Sequence, residues 1–290
     1  MWSARAVRAR LMRKALTAAL IFTASSLPGC APMTTNLTGH GATPRGEAPQ
    51  VFDDGEWATV LRENVKDGLV DYDHLAAHPE SLDRFLELIA PVGPNSTPQL
   101  FPSAHARLAY YINTYNAGVL KAVIVEKCPA TMYPPGSPAL DHRYHLPVDR
   151  ATMTLGELRQ AARAAAEGDP RVEFALCAAA TGAPPLADQP WRADTLSRQL
   201  DDTARIAMDN PRLVSIDHVG RHLLLGLAIH EQRDAFLAYY TRLTRASSPT
   251  VLNVLLMMAG SVRREWLNTA VGYPEGIIPF DRALNRWTPK

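Results

Sequence analysis

The sequence predicts a single α+β domain, with many helices around a small antiparallel sheet. Apolar residues recur at helical spacing in segment after segment, only one pair of neighbouring segments alternates like a β-hairpin, and no internal repeat divides the chain. At 290 residues and 47% hydrophobic content a packed core is within reach. The 30 basic and 29 acidic residues leave a net charge of +1, which supplies no field for nucleic acid, so no nucleic-acid partner is expected. The prolines cluster between residues 91 and 102 and between 129 and 147, which predicts long irregular connections there.

Residues 1–30 read as a lipoprotein signal peptide. Arg5, Arg8, Arg10, Arg13 and Lys14 precede the apolar run ALTAALIFTASSL, which is too short and too rich in Ala, Ser and Thr for a spanning helix. Leu27-Pro28-Gly29-Cys30 then resembles a bacterial lipobox, making Cys30 the expected lipid anchor. Plain secretion and an uncleaved anchor are the alternatives. Residues 31–50, rich in Thr, Pro and Gly, are expected to form a flexible tether, and 51–290 the domain. A lipid on Cys30 would place the protein in the bacterial periplasm, held to a membrane, with Ala31 favouring the outer one. Which of Cys128 and Cys177 stay reduced in that compartment, or whether they pair, is left open.

Within the domain, Trp57, Val60, Leu61 and Val65 form one helical stripe, which Asp67-Gly68 breaks ahead of an extended LVDY. A second helix starts at Pro79-Glu80 and carries Leu82, Phe85, Leu86 and Ile89. Ser103 is the expected N-cap of the longest helix, whose buried face includes Leu108, Tyr111, Ile112, Tyr115, Val119 and Val123. Residues 128–149 hold too many prolines for regular structure. A helix runs from Thr154 to near Ala166, and another from Ala193 to Asn210. Leu213–Asp217 and His222–Leu227 form the hairpin, a helix from His230 to Leu243 and two short ones, Val251 to Met258 and Val262 to Thr269, follow, and GIIPFDRALNRW closes as a short strand and coil.

Between the fourth and fifth helices lies the stretch DPRVEFALCAAATGAPPL, Asp169 to Leu186. Small residues followed by Pro184-Pro185 suit a segment that passes close to another backbone and then turns away. In the long helix, Asn113 and Asn116 are poor helix formers. Either their amides bridge backbone, or one of them orients a catalytic group or substrate. His142 and His145 could begin a zinc site, but no further ligand follows at matching spacing, so no metal and no cofactor are expected. No P-loop, dinucleotide fingerprint or GxSxG elbow occurs.

Four ordered motifs give the chain a resemblance over residues 52–286. LRENVKDGLVDYDHL, YINTYNAGVLKAVI, DPRVEFALCAAATGAPPL and PFDRALN are similar to motifs of the bacterial and plant family called domain of unknown function 547. Most members carry D-P-R, an apolar residue, His-Phe-Ala-Leu-x-Cys-Ala-Ser and then Cys-Pro-x-Leu. A His and Cys so spaced, near Asn side chains, imply an activated thiol and hence cysteine-dependent acyl transfer or hydrolysis. This chain has Glu173 at the His position and Ala178 and Ala183 at the two Cys positions. It also reads Leu158-Arg159 where members carry Ile-Glu. Cys177 stands one residue early, a shift that turns its side chain away from the Cys position. The paired departures suggest a swapped ion pair between Glu173 and Arg159.

The resemblance therefore implies a lipid-anchored envelope protein that has lost thiol catalysis and binds an envelope protein or small ligand in the old cleft. The cleft set expected on this basis is Tyr115, Asn116, Arg159, Arg171, Glu173, Cys177, Ala178 and Asp281. The alternative is a hydrolase or acyl transferase working through Glu173 with Asn113, Asn116 or His145.

Overall fold

In the computed structural model, which describes residues 35–37, 51–137 and 139–288, the first element falls inside the expected tether. Thr35–Asn36 (β1) pairs in parallel with Tyr144–His145, and Leu37 is buried against the domain. At these three residues the segment lies on the fold rather than free of it. The expected signal peptide and the Cys30 anchor lie outside the described residues.

The stripe from Trp57 forms α1 (Gly55–Asn64) with Trp57, Val60 and Leu61 buried. Asp67-Gly68 then turns the chain in a hairpin between β2 (Val65–Lys66) and β3 (Leu69–Val70). Helices α2 (Tyr72–Ala77) and α3 (Glu80–Ile89) follow, α3 burying the four apolar residues of its stripe. The long helix α4 (Ala104–Val125) begins at Ser103, whose Oγ accepts from Ala106 N at 3.0 Å. Tyr111, expected on its buried face, is only partly buried.

Regular structure continues where the prolines were expected to exclude it. After α5 (Leu140–Arg143), β4 (Tyr144–Val148) pairs antiparallel with β5 (Ala151–Thr154). Pro147 is accommodated because, among the described residues, β1 pairs with Tyr144 and His145 and nothing pairs with that side of β4 further along, where a residue without an N–H is tolerated. Thr154 and Glu157 close a capping box on α6 (Leu155–Ala165).

Asp169 to Leu186 is neither strand nor regular helix. A 3₁₀ turn, Pro170–Phe174, leads into irregular chain as far as α7 (Leu196–Asp209). The hairpin of β6 (Val214–Asp217) and β7 (His222–Leu225) precedes α8 (Leu227–Glu231), α9 (Arg233–Thr244), α10 (Val251–Met258) and α11 (Ser261–Asn268). The single helix expected from His230 is thus two, divided at Gln232. Strand β8 (Glu275–Ile277) pairs in parallel with β7.

The class is α+β in one domain. Its strands form three small sheets rather than one, each built on an antiparallel hairpin, and two of them gain a parallel edge strand. Two strands of a hairpin are joined through a tight turn and can be read locally, whereas β1 and β8 reach their partners from far along the chain.

The buried apolar residues divide into two clusters. The larger joins α1–α6 with the start of α7; the smaller joins the end of α7 with β6, β7 and α8–α11. Val172, Ala175, Leu176 and Cys177 belong to the first cluster and Phe174 to the second. The stretch from Asp169 is therefore the seam between the cores. It also passes close to other backbone. A Cβ on Gly182 would stand 2.6 Å from Asp281 N, and one on Gly68, at φ +78°, only 2.2 Å from Pro185 Cβ.

Candidate functional site

Asn113 and Asn116 lie one turn apart on the same face of α4. Trp57 Nε1 and Trp191 N both donate to Asn113 Oδ1, at 3.1 and 3.0 Å, while Asn113 Nδ2 donates to Trp191 O at 2.9 Å. Asn116 Nδ2 donates to Ala175 O and Cys177 N donates to Asn116 Oδ1, both at 3.0 Å. Of the two readings open for these amides, the structure gives the backbone bridge, across remote segments. Both side chains are buried and hold residues 175–191 against α4, and the propensity they cost the helix is offset by these hydrogen bonds.

Held in this way, the seam segment forms one wall of a cleft of about 420 Å³. Glu173, Leu176, Ala178, Gly182, Ala183 and Pro184 come from the segment itself. Tyr133, Leu140, Asp141, Arg159 and Arg163 come from the side of the first core; Leu227, Ala228, Glu231, Gln232, Phe280 and Arg282 come from later in the chain. The three positions at which the resemblance puts His, Cys and Cys thus converge on a single cavity. Ala179, buried with φ 51°, supplies a left-handed kink directly after Ala178.

The expected ion pair between Glu173 and Arg159 is not formed. Arg163 takes Glu173 instead, through Nε to Oε1 at 2.7 Å and Nη2 to Oε2 at 2.8 Å. The reason is helical geometry. Arg159 and Arg163 are four residues apart on one face of α6, and the later one lies nearer the 3₁₀ turn while the earlier one faces α5. Arg159 Nη2 donates to the Tyr115 hydroxyl and stands 3.2 Å from Asp141 Oδ1. Burial works against the charge of Arg159, but Tyr115 and Asp141 outweigh it and raise its pKa above the ordinary guanidinium value. Burial in turn pushes Tyr115 up to about 12, against the lowering effect of Arg159, so the phenol is neutral at physiological pH.

Of the expected cleft set, Arg159, Glu173 and Ala178 line the cavity. Tyr115 stands behind Arg159, and Asn116 lies behind the seam segment. Arg171 does not reach the cleft; it is paired with Asp169 and Asp201 and stacks over Tyr239 at 5.7 Å, tying the 3₁₀ turn to α7 and α9. Asp281 is exposed beside Gly182, whose N–H donates to its carbonyl at 2.9 Å. Asn113 borders a separate hollow, and His145 sits on β4, its carbonyl accepting from Leu37 N at 2.8 Å. The Asn and His groups of the hydrolase alternative are therefore not beside Glu173. Among the described residues no group of three or more His, Cys, Asp or Glu is placed to hold a metal ion.

Sequence reasoning missed Arg163, Asp141, Tyr133 and the α8 part of the later wall, and on the C-terminal segment it named Asp281 where its neighbours Phe280 and Arg282 line the cavity. Arg163 had a signal, its four-residue spacing from Arg159. Glu231 had none, because only the fold brings α8 to the seam.

Cys177 and Cys128 are both free thiols. Cys177 faces the core, where Asn285 Nδ2 donates to its sulfur at 3.5 Å, and Tyr72 OH donates to Asn285 Oδ1 at 2.8 Å. Burial pushes the Cys177 thiol up to about 11 from 9.0, which makes it a poor nucleophile. A folded pKa above the unfolded one means that the unfolded chain loses the proton first. Stability from this group is therefore complete below about pH 9 and is lost as pH rises towards 11. At pH 10 Cys177 is expected to cost about 1 kcal/mol relative to pH 8. Urea midpoints across this range, compared with those of Cys177→Ala, measure it; an identical alkaline decline in the variant would remove Cys177 as a cause.

The model of the family described as Protein of unknown function, DUF547 matches residues 101–206, which run from the start of α4 into α7 and include Asn113, Asn116, Arg159, Glu173, Ala178 and Ala183. The first and last of the four motifs lie outside that match. No curated protein and no solved structure matches the chain.

Proposed function

The chain belongs to the DUF547 family through residues 101–206, and from that premise we propose that it is a lipid-anchored protein of the bacterial cell envelope which binds a small ligand or partner in the seam cleft without thiol catalysis. What supports the loss of catalysis is one observation: the cleft positions 173, 178 and 183 hold Glu, Ala and Ala, and both carboxylate oxygens of Glu173 are taken by Arg163. A carboxylate held by two parallel N–H bonds is oriented on Arg163 rather than on a substrate proton, and among the described residues no thiol lines the cavity. A pocket of this volume with a partly apolar wall is of the size that holds small molecules.

Two measurements test this reading. In the native protein, iodoacetamide should label Cys177 no faster than during global unfolding, whereas Ala178→Cys should gain a site that is alkylated at least tenfold faster. Rapid acylation of wild-type Cys177 by an activated ester would sink the non-catalytic reading. For the anchor, mass spectrometry of the mature N-terminus should find a diacylglyceryl group on Cys30. Release of the wild-type protein from spheroplasts without detergent would refute it.

A further inference from the structure

Among the described residues, the buried side-chain polar atoms without a hydrogen-bond partner are Thr114 Oγ1, Asp141 Oδ1, Arg159 Nε and Trp191 Nε1. Two of these four belong to one ion pair, and both of its residues line the seam cleft. Arg159 uses one of its five N–H donors on Tyr115, and the contact with Asp141 Oδ1 at 3.2 Å is not aligned as a hydrogen bond. The pair is 21% and 24% exposed, so it is neither solvated as a surface pair nor satisfied as a buried one. The two orphaned atoms are themselves closed to solvent, so the exposed part of the pair lies on its other atoms, and a ligand completes the pair there by offering an acceptor to the guanidinium and a donor to the carboxylate side by side. A simple anion satisfies Arg159 but is repelled by Asp141, and an ammonium does the reverse.

The other charges of the cleft point the same way. Arg163 is neutralised by Glu173, and Arg282 and Glu231 add one charge of each sign at exposed positions. The cavity as a whole selects neither cations nor anions. Its apolar wall, from Leu140, Leu176, Leu227 and Phe280, suits an aliphatic group next to the polar one.

We infer that the cleft recognises a neutral carboxamide or peptide group carrying an apolar side chain, with the carbonyl accepting from Arg159 and the N–H donating to Asp141. This rests on the reading of the seam cleft as a binding site. It gives Arg159 and Asp141 the role of ligand-orienting residues, and Tyr115 the role of a positioning residue behind Arg159.

The test uses the purified full-length protein and three probes with one polar group each on the same apolar chain: 4-methylpentanamide, 4-methylpentanoic acid and methyl 4-methylpentanoate. Binding is followed by NMR line broadening and shift of the probe. The amide should bind with a dissociation constant on the order of 1 mM, as suits so small a ligand. The free acid and the ester should each bind at least fivefold more weakly, the acid because Asp141 repels it and the ester because its alkoxy oxygen has no proton to donate. Asp141→Asn should relax the preference of amide over acid while the melting temperature reports the fold. Arg159→Lys, which keeps the charge but not the fork, should weaken the amide at least threefold. Equal binding of all three probes, preference for the acid, or no binding of any would overturn the inference. Release of ammonia from the amide would instead overturn the non-catalytic reading while leaving the recognition intact.

Discussion

Asn113→Ala should lower the stability of the domain by about 4 kcal/mol and its melting temperature by roughly 10 °C. Three partners lose their only named contact with this amide at once: the indole N–H of Trp57, and the backbone N–H and carbonyl of Trp191. Each buried group left unpaired costs about 1–3 kcal/mol, and water entering from the hollow beside Asn113 recovers part of the total. The partly buried Asn253, which closes the capping box of α10, is the control, and Asn253→Ala should cost no more than about 1 kcal/mol. Urea unfolding of both variants decides the matter. If Asn113→Ala stays within 1 kcal/mol of the parent, the amide is not the staple between α4 and the seam. The same logic applies one turn later to Asn116, whose loss would free Ala175 O and Cys177 N and loosen the cleft wall itself.

What the sequence disclosed follows from how local each signal is. The stripes of α1, α3, α4, α7 and α10 and the β6–β7 hairpin are set by spacing within a few residues, and they are found where that spacing puts them. Strand β8 is found at the short strand expected near Gly276, but its parallel partner β7 was not legible, and β1 is two residues defined by a partner far along the chain, with no periodic pattern of its own. The β4–β5 hairpin was hidden by Pro147, a residue whose cost depends on whether its side of the strand is paired, which is a tertiary fact. For the site, the small-residue run and its Pro-Pro exit marked a segment that must approach other backbone, and Gly182 against Asp281 and Gly68 against Pro185 are those approaches. Sequence could also name Glu173 and Ala178 as neighbours in function. It could not name Asp141, whose place beside Arg159 is set by the packing of α5 on α6, nor the wall contributed by α8.

The pairing of Glu173 gives the second large effect and bears on how the cleft differs from that of a thiol enzyme. Glu173→Gln should cost about 3 kcal/mol, because it leaves the guanidinium of Arg163 without its counter-charge in a site where Glu173 is 8% and Arg163 22% exposed. Arg163→Met should cost a similar amount by stranding the carboxylate. The double variant should cost about 2 kcal/mol less than the sum, since neither charge is then left alone. Arg159 in place of Arg163 in the same cycle should show coupling of no more than about 0.5 kcal/mol, as its contacts are Tyr115 and Asp141. Additive costs for Glu173 and Arg163 would mean that solvent already screens the pair, and strong coupling to Arg159 would mean that the guanidiniums exchange partners in solution. Glu173→His, which restores the residue type of the family signature, should be as destabilising as Glu173→Gln. An imidazole cannot accept the two parallel N–H bonds that Arg163 offers, and a protonated one would repel it. A His at position 173 facing a Cys at position 178 would therefore require position 163 to change as well.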